Sequence, residues 1–174
     1  MRKALFQISI IPMLIVSLAA CGFEPIYGTH AAMRGEAAQL AEIAVETIPG
    51  REGQLLKIAL EDRFNPTSLP VRPAYHLRVG LTKTLVPIIV DPDASIRRYN
   101  VKLESAFTLV DSATGAEVYS GRVQRLTSYN VAQSDFSTYI ADADAVQRGI
   151  TEIAEDYKLR LAAFFARHPD KKAI

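Results

Sequence analysis

One cysteine constrains this chain more than any other residue. Cys21 is the single cysteine among 174 residues, and it closes the stretch Leu18-Ala19-Ala20-Cys21-Gly22. Arg2 and Lys3 open the segment, and residues 4–20 are mainly apolar. A charged start, an apolar middle and a small-residue exit are the three regions of a secretory signal. Gln7 and Pro12 interrupt the apolar run, which falls short of the roughly 20 residues a spanning helix needs. Ala19 and Ala20 let a signal peptidase close around the backbone, and the Cys21 thiol can take a thioether-linked lipid. An odd cysteine in an exported chain otherwise has no partner to explain it. The stretch reads as a bacterial lipobox, with residues 1–20 cleaved and Cys21 carrying S-diacylglycerol and an N-acyl group. One acyl chain at about 0.8 kcal/mol per buried CH₂ anchors only reversibly, so the additional chains matter. Residue 22 is Gly, not Asp, which in enterobacterial lipoproteins implies onward export to the outer membrane. Beyond this covalent lipid no cofactor is expected.

Residues 21–174 are enough for one domain with a workable core. Without Arg2 and Lys3 they hold 18 basic and 19 acidic residues, a formal charge of −1. That balance gives no basic signature for a nucleic-acid partner. His30, His76 and His168 are too widely spaced to suggest a metal site. No nucleophile elbow, phosphate loop or calcium loop is present, so an enzyme is not expected.

Residues 21–40 read as a lipidated N-terminus and tether, with Pro25 and Gly28 as breakers and Phe23 and Tyr27 as interface aromatics. Weak alternation over 41–48 gives a first strand, closed by Pro49-Gly50. Leu55, Leu56, Ala59, Leu60 and Phe64 then recur at helical spacing, until Asn65-Pro66. Tyr75, Leu77, Val79 and Leu81 alternate with polar residues, in a strand that can run on through Val90 with Pro87 at an edge or bulge. After an Asp91–Ala94 turn, residues 97–111 repeat the pattern, with Tyr99, Val101, Leu103, Phe107 and Leu109 inward. Asp111–Gly115 makes a tight hairpin into a third such strand over 117–131. Ser134 or Asp135 caps a long helix whose stripe is Phe136, Ile140, Ala143, Ile150, Ile153, Ala154, Tyr157, Leu161 and Phe164. Residues 41–168 thus form a single α/β-sandwich domain, and 169–174 a polar tail. The fold class is α+β, in the order β-α-β-β-β-α. It is a two-layer sandwich of a four-stranded, mostly antiparallel sheet with two helices on one face.

The basic residues fall on the polar sides of these strands. Arg97, Arg98 and Lys102 sit on one strand and Arg122 on the next. Antiparallel pairing can gather them into a site for the anionic head of a glycolipid, where an Arg fork suits phosphate. A solvated strand face is the plainer alternative.

Cys21-Gly22-Phe23-Glu24-Pro25-Ile26-Tyr27-Gly28 after a lipobox, and the closing helix from Tyr139 to Phe165, resemble the LPS-assembly lipoprotein LptE family, alphaproteobacterial type. The resemblance implies an outer-membrane lipoprotein that plugs the LptD β-barrel, assists its assembly and helps deliver lipopolysaccharide to the outer leaflet. It implies that basic residues bind lipopolysaccharide but does not map them residue by residue; Arg97, Arg98, Lys102 and Arg122 are the candidates by location. It places the chain facing the periplasm or inside the barrel lumen. The alternative is a free-standing periplasm-facing lipoprotein, an auxiliary subunit of another lipid or solute transport system.

Overall fold

The computed structural model describes residues 38–68, 71–88 and 98–168. Cys21, Phe23, Tyr27, the Asp91–Ala94 turn, Arg97 and the polar tail lie outside them. Residues 38–41 are helical, where the sequence suggests a tether and the start of a strand. The elements after them are β1 (Ile43–Val45), α1 (Arg51–Phe64), β2 (Tyr75–Ile88), β3 (Arg98–Asp111), β4 (Glu117–Asn130) and α2 (Asp135–Arg167). The strands form one sheet in the order β1-β2-β3-β4, with β1 parallel to β2 and the other pairs antiparallel. Both helices cover one face of it, so the expected two-layer α+β sandwich is the observed one.

Side-chain parity builds this arrangement. Val101, Leu103, Phe107 and Leu109 of β3 are buried, and Glu104 and Ala106 between them are exposed. Register carries the same parity across, pairing Leu77 with Leu109 and Ser105 with Val123. At the β3–β4 hairpin, Asp111 Oδ1 accepts from the amides of Ala113 (2.9 Å) and Thr114 (2.8 Å), and Gly115 takes φ 69°.

β1 is shorter than the alternation over 41–48 suggests. After the Glu46 amide donates to the Leu77 carbonyl at 3.0 Å, the chain leaves the sheet. This lets Ile48 bury completely, packed against Gly53 of α1. Burying such a side chain contributes about 1.5–3 kcal/mol, more than the 0.5–1.5 kcal/mol or so of one further strand hydrogen bond. Leu40, just ahead of β1, also joins the core. In α1 the stripe is Gly53, Leu56, Ala59, Leu60 and Phe64, with Leu55 only half-buried.

The start of α2 departs from expectation as well. Ser134 caps it, its Oγ accepting from the Ser137 amide at 3.4 Å. Phe136 is 73% exposed and Ile140 48%. Burial begins only at Ala145 and Val146, where Thr127 Oγ1 of β4 donates to the Ala145 carbonyl at 2.9 Å. The earlier turns share the helical period but have no covered core beneath them. Gly149 lies at a close approach of α2 to side chains of β3 and β4. A Cβ there would come 2.6 Å from Leu103 Cδ1.

One polar contact crosses the core. The Tyr157 hydroxyl and Ser105 Oγ lie 2.5 Å apart, and Ser105 Oγ also donates to the Gly80 carbonyl at 3.1 Å. Around it Phe107 packs on Tyr157 with centroids 4.5 Å apart, and Tyr119 stacks on Phe164 at 4.9 Å. Burial pushes the Tyr157 hydroxyl up to about 12, against a smaller opposing effect of the Ser105 hydrogen bond.

Two outcomes follow. Gly149→Ala gains up to about 1 kcal/mol of helix propensity but overpacks against Leu103, which costs about 1–3 kcal/mol. Urea unfolding is expected to show a net loss, and a gain would contradict the close approach. The folded Tyr157 keeps its proton when the unfolded chain, near pH 10, begins to lose it. Its stabilising effect is therefore whole below that pH and declines as pH rises toward about 12. Tyr157→Phe protein, unfolded in parallel, is expected to lack that part of the alkaline decline.

Candidate functional site

Among the described residues, no helix covers the sheet face away from α1 and α2. Inward positions carry the core, so the alternate positions of β2, β3 and β4 define this face. They are Arg78, Gly80, Thr82 and Thr84 on β2, Arg98, Asn100, Lys102, Glu104 and Ala106 on β3, and Arg122, Gln124, Leu126 and Ser128 on β4. Four cations stand there against Glu104 and, at the rim, Glu46 and Glu117. Hydroxyls and amides fill most of the rest, apart from the small Gly80 and Ala106, the apolar Val86 and Ile88 near its end, and Leu126.

Three of the four basic residues singled out in the sequence are described, and all three lie on this face. Arg98 Nη2 donates to Ser128 Oγ at 2.7 Å. Lys102 Nζ lies 2.9 Å from Glu104 Oε1. Arg122 makes no ion pair among the described residues. Arg78, on the same face, pairs with Glu46 at 3.0 Å. Arg98 and Lys102 are four residues apart on one strand, about 13 Å at 3.3 Å per residue. Arg122 faces Ala106, four residues further along β3. The cations therefore form a track along the sheet and do not converge on one phosphate. Each exposed ion pair on it contributes little to folding, at roughly 0–1 kcal/mol.

In the middle of the track the face dips. Gly80, Ala106 and Arg122 are cross-strand neighbours, and two small residues beside one long one open a trough of about 550 Å³. Thr82, Glu104 and Gln124 complete its rim. The trough did not stand out in the sequence. Its one signal there is a glycine inside a strand, which marks a bulge or a close approach of backbone or ligand. Gly80 sits in regular pairing opposite Ala106, and a Cβ on it would meet nothing within 4 Å. Packing within the chain therefore does not require that glycine.

No protein-family model and no curated protein sequence matches the chain. Solved structures do. A Caulobacter crescentus protein described as a lipoprotein superposes with a TM-score of 0.64 at 24% identity, covering 76% of this chain and 97% of that one. The chain has the fold of bacterial lipoproteins. The minor lipoprotein of Acinetobacter baumannii matches with a TM-score of 0.53 at 15% identity, over 71% of this chain and 92% of its own. Rare lipoprotein B of Shewanella oneidensis gives 0.53 and 15%, over 74% and 98%.

Gly80→Val is the sharpest check on the trough. A β-branched residue suits a strand, on a scale spanning about 1 kcal/mol, and has free space here. Its melting temperature is expected to hold or rise while the trough fills. A large loss of stability would mean that the fold itself needs the glycine.

Proposed function

We propose that this chain is an outer-membrane lipoprotein, held by the lipid on Cys21, that partners and plugs the LptD β-barrel. It assists the barrel's assembly and helps deliver lipopolysaccharide to the outer leaflet, without catalysing a reaction. The observation that carries this reading is the uncovered polar face with its cationic track. A barrel lumen is itself polar, so such a face can be enclosed there without burying an apolar surface against water. Spaced cations suit a large head group bearing several separated anionic groups, each met by its own Arg or Lys. The fold shared with bacterial lipoproteins agrees with the lipobox at Cys21.

Within this reading Arg98, Lys102 and Arg122 contact the glycolipid head, and Arg97 adjoins them in sequence. A hydrogen bond to a charged group contributes about 1.5–3 kcal/mol, and 1.4 kcal/mol is a factor of ten in affinity. Reversing Arg98, Lys102 and Arg122 together to Glu is therefore expected to weaken lipopolysaccharide binding by at least tenfold. Unchanged binding would place the lipid elsewhere. Depletion in the native bacterium tests the wider role. Surface lipopolysaccharide and folded barrel are expected to fall together, and normal amounts of both would contradict the reading.

A further inference from the structure

The two long edges of the sheet are treated differently. On β4, arginines from α2 reach the free carbonyls. Arg148 Nη2 donates to the Ser128 carbonyl at 3.2 Å, and Arg160 Nη1 to the Arg122 carbonyl at 3.4 Å. Arg160 is held by Asp156, which also accepts from Arg125 at 2.5 Å. On β2 the case is reversed. Tyr75 and Leu77 turn their backbone groups toward the β1 side, bonding Glu42 and Glu46 at 3.2 and 3.0 Å. Alternation carries Val79, Leu81, Lys83 and Leu85 to the same side, but β1 has already ended. No backbone among the described residues pairs there beyond Leu77. Pro87 falls on that side too, where its missing N–H costs the sheet nothing.

A recess of about 160 Å³ lies beside this edge in the helix layer, between Leu55, Lys83, Tyr139, Asp142 and Val146. Lys83 Nζ is 2.7 Å from Asp142 Oδ2 and 3.7 Å from Glu52. Arg51 donates instead to the Tyr139 hydroxyl, its guanidinium 5.6 Å over the ring. Asp142 Oδ1 is buried and has no hydrogen-bond partner among the described residues. An unmade bond to such an acceptor costs about 1–3 kcal/mol. The recess joins apolar Leu55, Ala143 and Val146 to the polar Arg51, Glu52, Lys83 and Gln147 around one open acceptor, which fits a neutral side chain with an N–H end.

We propose that the free edge of β2, from Val79 to Leu85, receives an extended segment of the barrel partner as a fifth strand. That segment sets one glutamine or asparagine into the recess, its neutral N–H toward Asp142 Oδ1 and beside Lys83. The inference rests on the barrel reading above. Strand addition takes its affinity from main-chain bonds and its specificity from pockets for alternate side chains. A second copy of this chain fits less well. Two-fold pairing about the middle of the edge, at Thr82, sets Leu81 opposite Lys83, and residues 79–85 of a second copy hold no asparagine or glutamine for the recess.

Residue-resolved hydrogen exchange on the full lipoprotein, alone and in its barrel complex, tests this. The amides of Val79, Leu81, Lys83 and Leu85 are expected to slow at least tenfold in the complex. Those of Thr82 and Thr84, already paired to β3, are expected to change little. Leu85→Pro removes one edge-facing donor, as Pro87 already does, and is expected to lower barrel retention about tenfold relative to Leu85→Ala. A complex with unaltered exchange at the four amides overturns the edge assignment alone. Failure to form any barrel complex overturns the partner reading and this inference with it. Concentration-dependent protection in the lipoprotein alone would give the edge to a second copy and overturn the proposal.

Discussion

Two helices laid on a four-stranded sheet can cover one face of it. That constraint governs the rest of this molecule. The cover is made close by Gly149, which lets α2 settle onto Leu103, and is pinned by the Ser105–Tyr157 contact between β3 and α2. Once the inward residues of β2, β3 and β4 are committed to that layer, every alternate residue must face away. The uncovered face follows from the same parity that makes the core.

What fills the uncovered face then becomes a chemical choice. Thr82, Thr84, Asn100, Gln124 and Ser128 keep much of it hydrated, and Arg98, Lys102 and Arg122 give it a sign. Gly80 and Ala106 leave room at its centre, and packing within the chain does not require the glycine. The two edges carry the same logic into the plane of the sheet. An unpaired edge is a template for another strand. Arginines of α2 reach two carbonyls of β4, while among the described residues the edge of β2 stays unpaired past β1.

Much of this was legible in the residues. Period-two alternation over Tyr75–Leu81 and Tyr99–Leu109 gave the strands and their buried faces, Pro87 gave an edge, and Ser134 gave a helix start. The placing of Arg98, Lys102 and Arg122 on one polar face followed from the same parity. Where alternation or helical spacing misled, tertiary packing had decided the outcome. Ile48 leaves the strand pattern because burial under α1 outweighs an extra ladder bond. Phe136 and Ile140 share the helical period of α2 but lie beyond the layer that could cover them. Ser105 was the least readable residue. It stands at an inward position, and only its contact with Tyr157, 52 residues away, explains a hydroxyl there.

The trough at Gly80 and Ala106 could not be read in advance, because it depends on the register of three strands. Register also separates the cations by about 13 Å along β3, which makes them a track and not a pocket. Photocrosslinking tests most directly whether this face is the one that meets the lipid and the barrel. A photoreactive p-benzoylphenylalanine at Ala106, on the uncovered face, would be compared in living cells with one at Leu159, exposed on α2. Crosslinks from Ala106 to lipopolysaccharide or to the barrel are the expected result. Crosslinks to either from Leu159 alone, with none from Ala106, would contradict it.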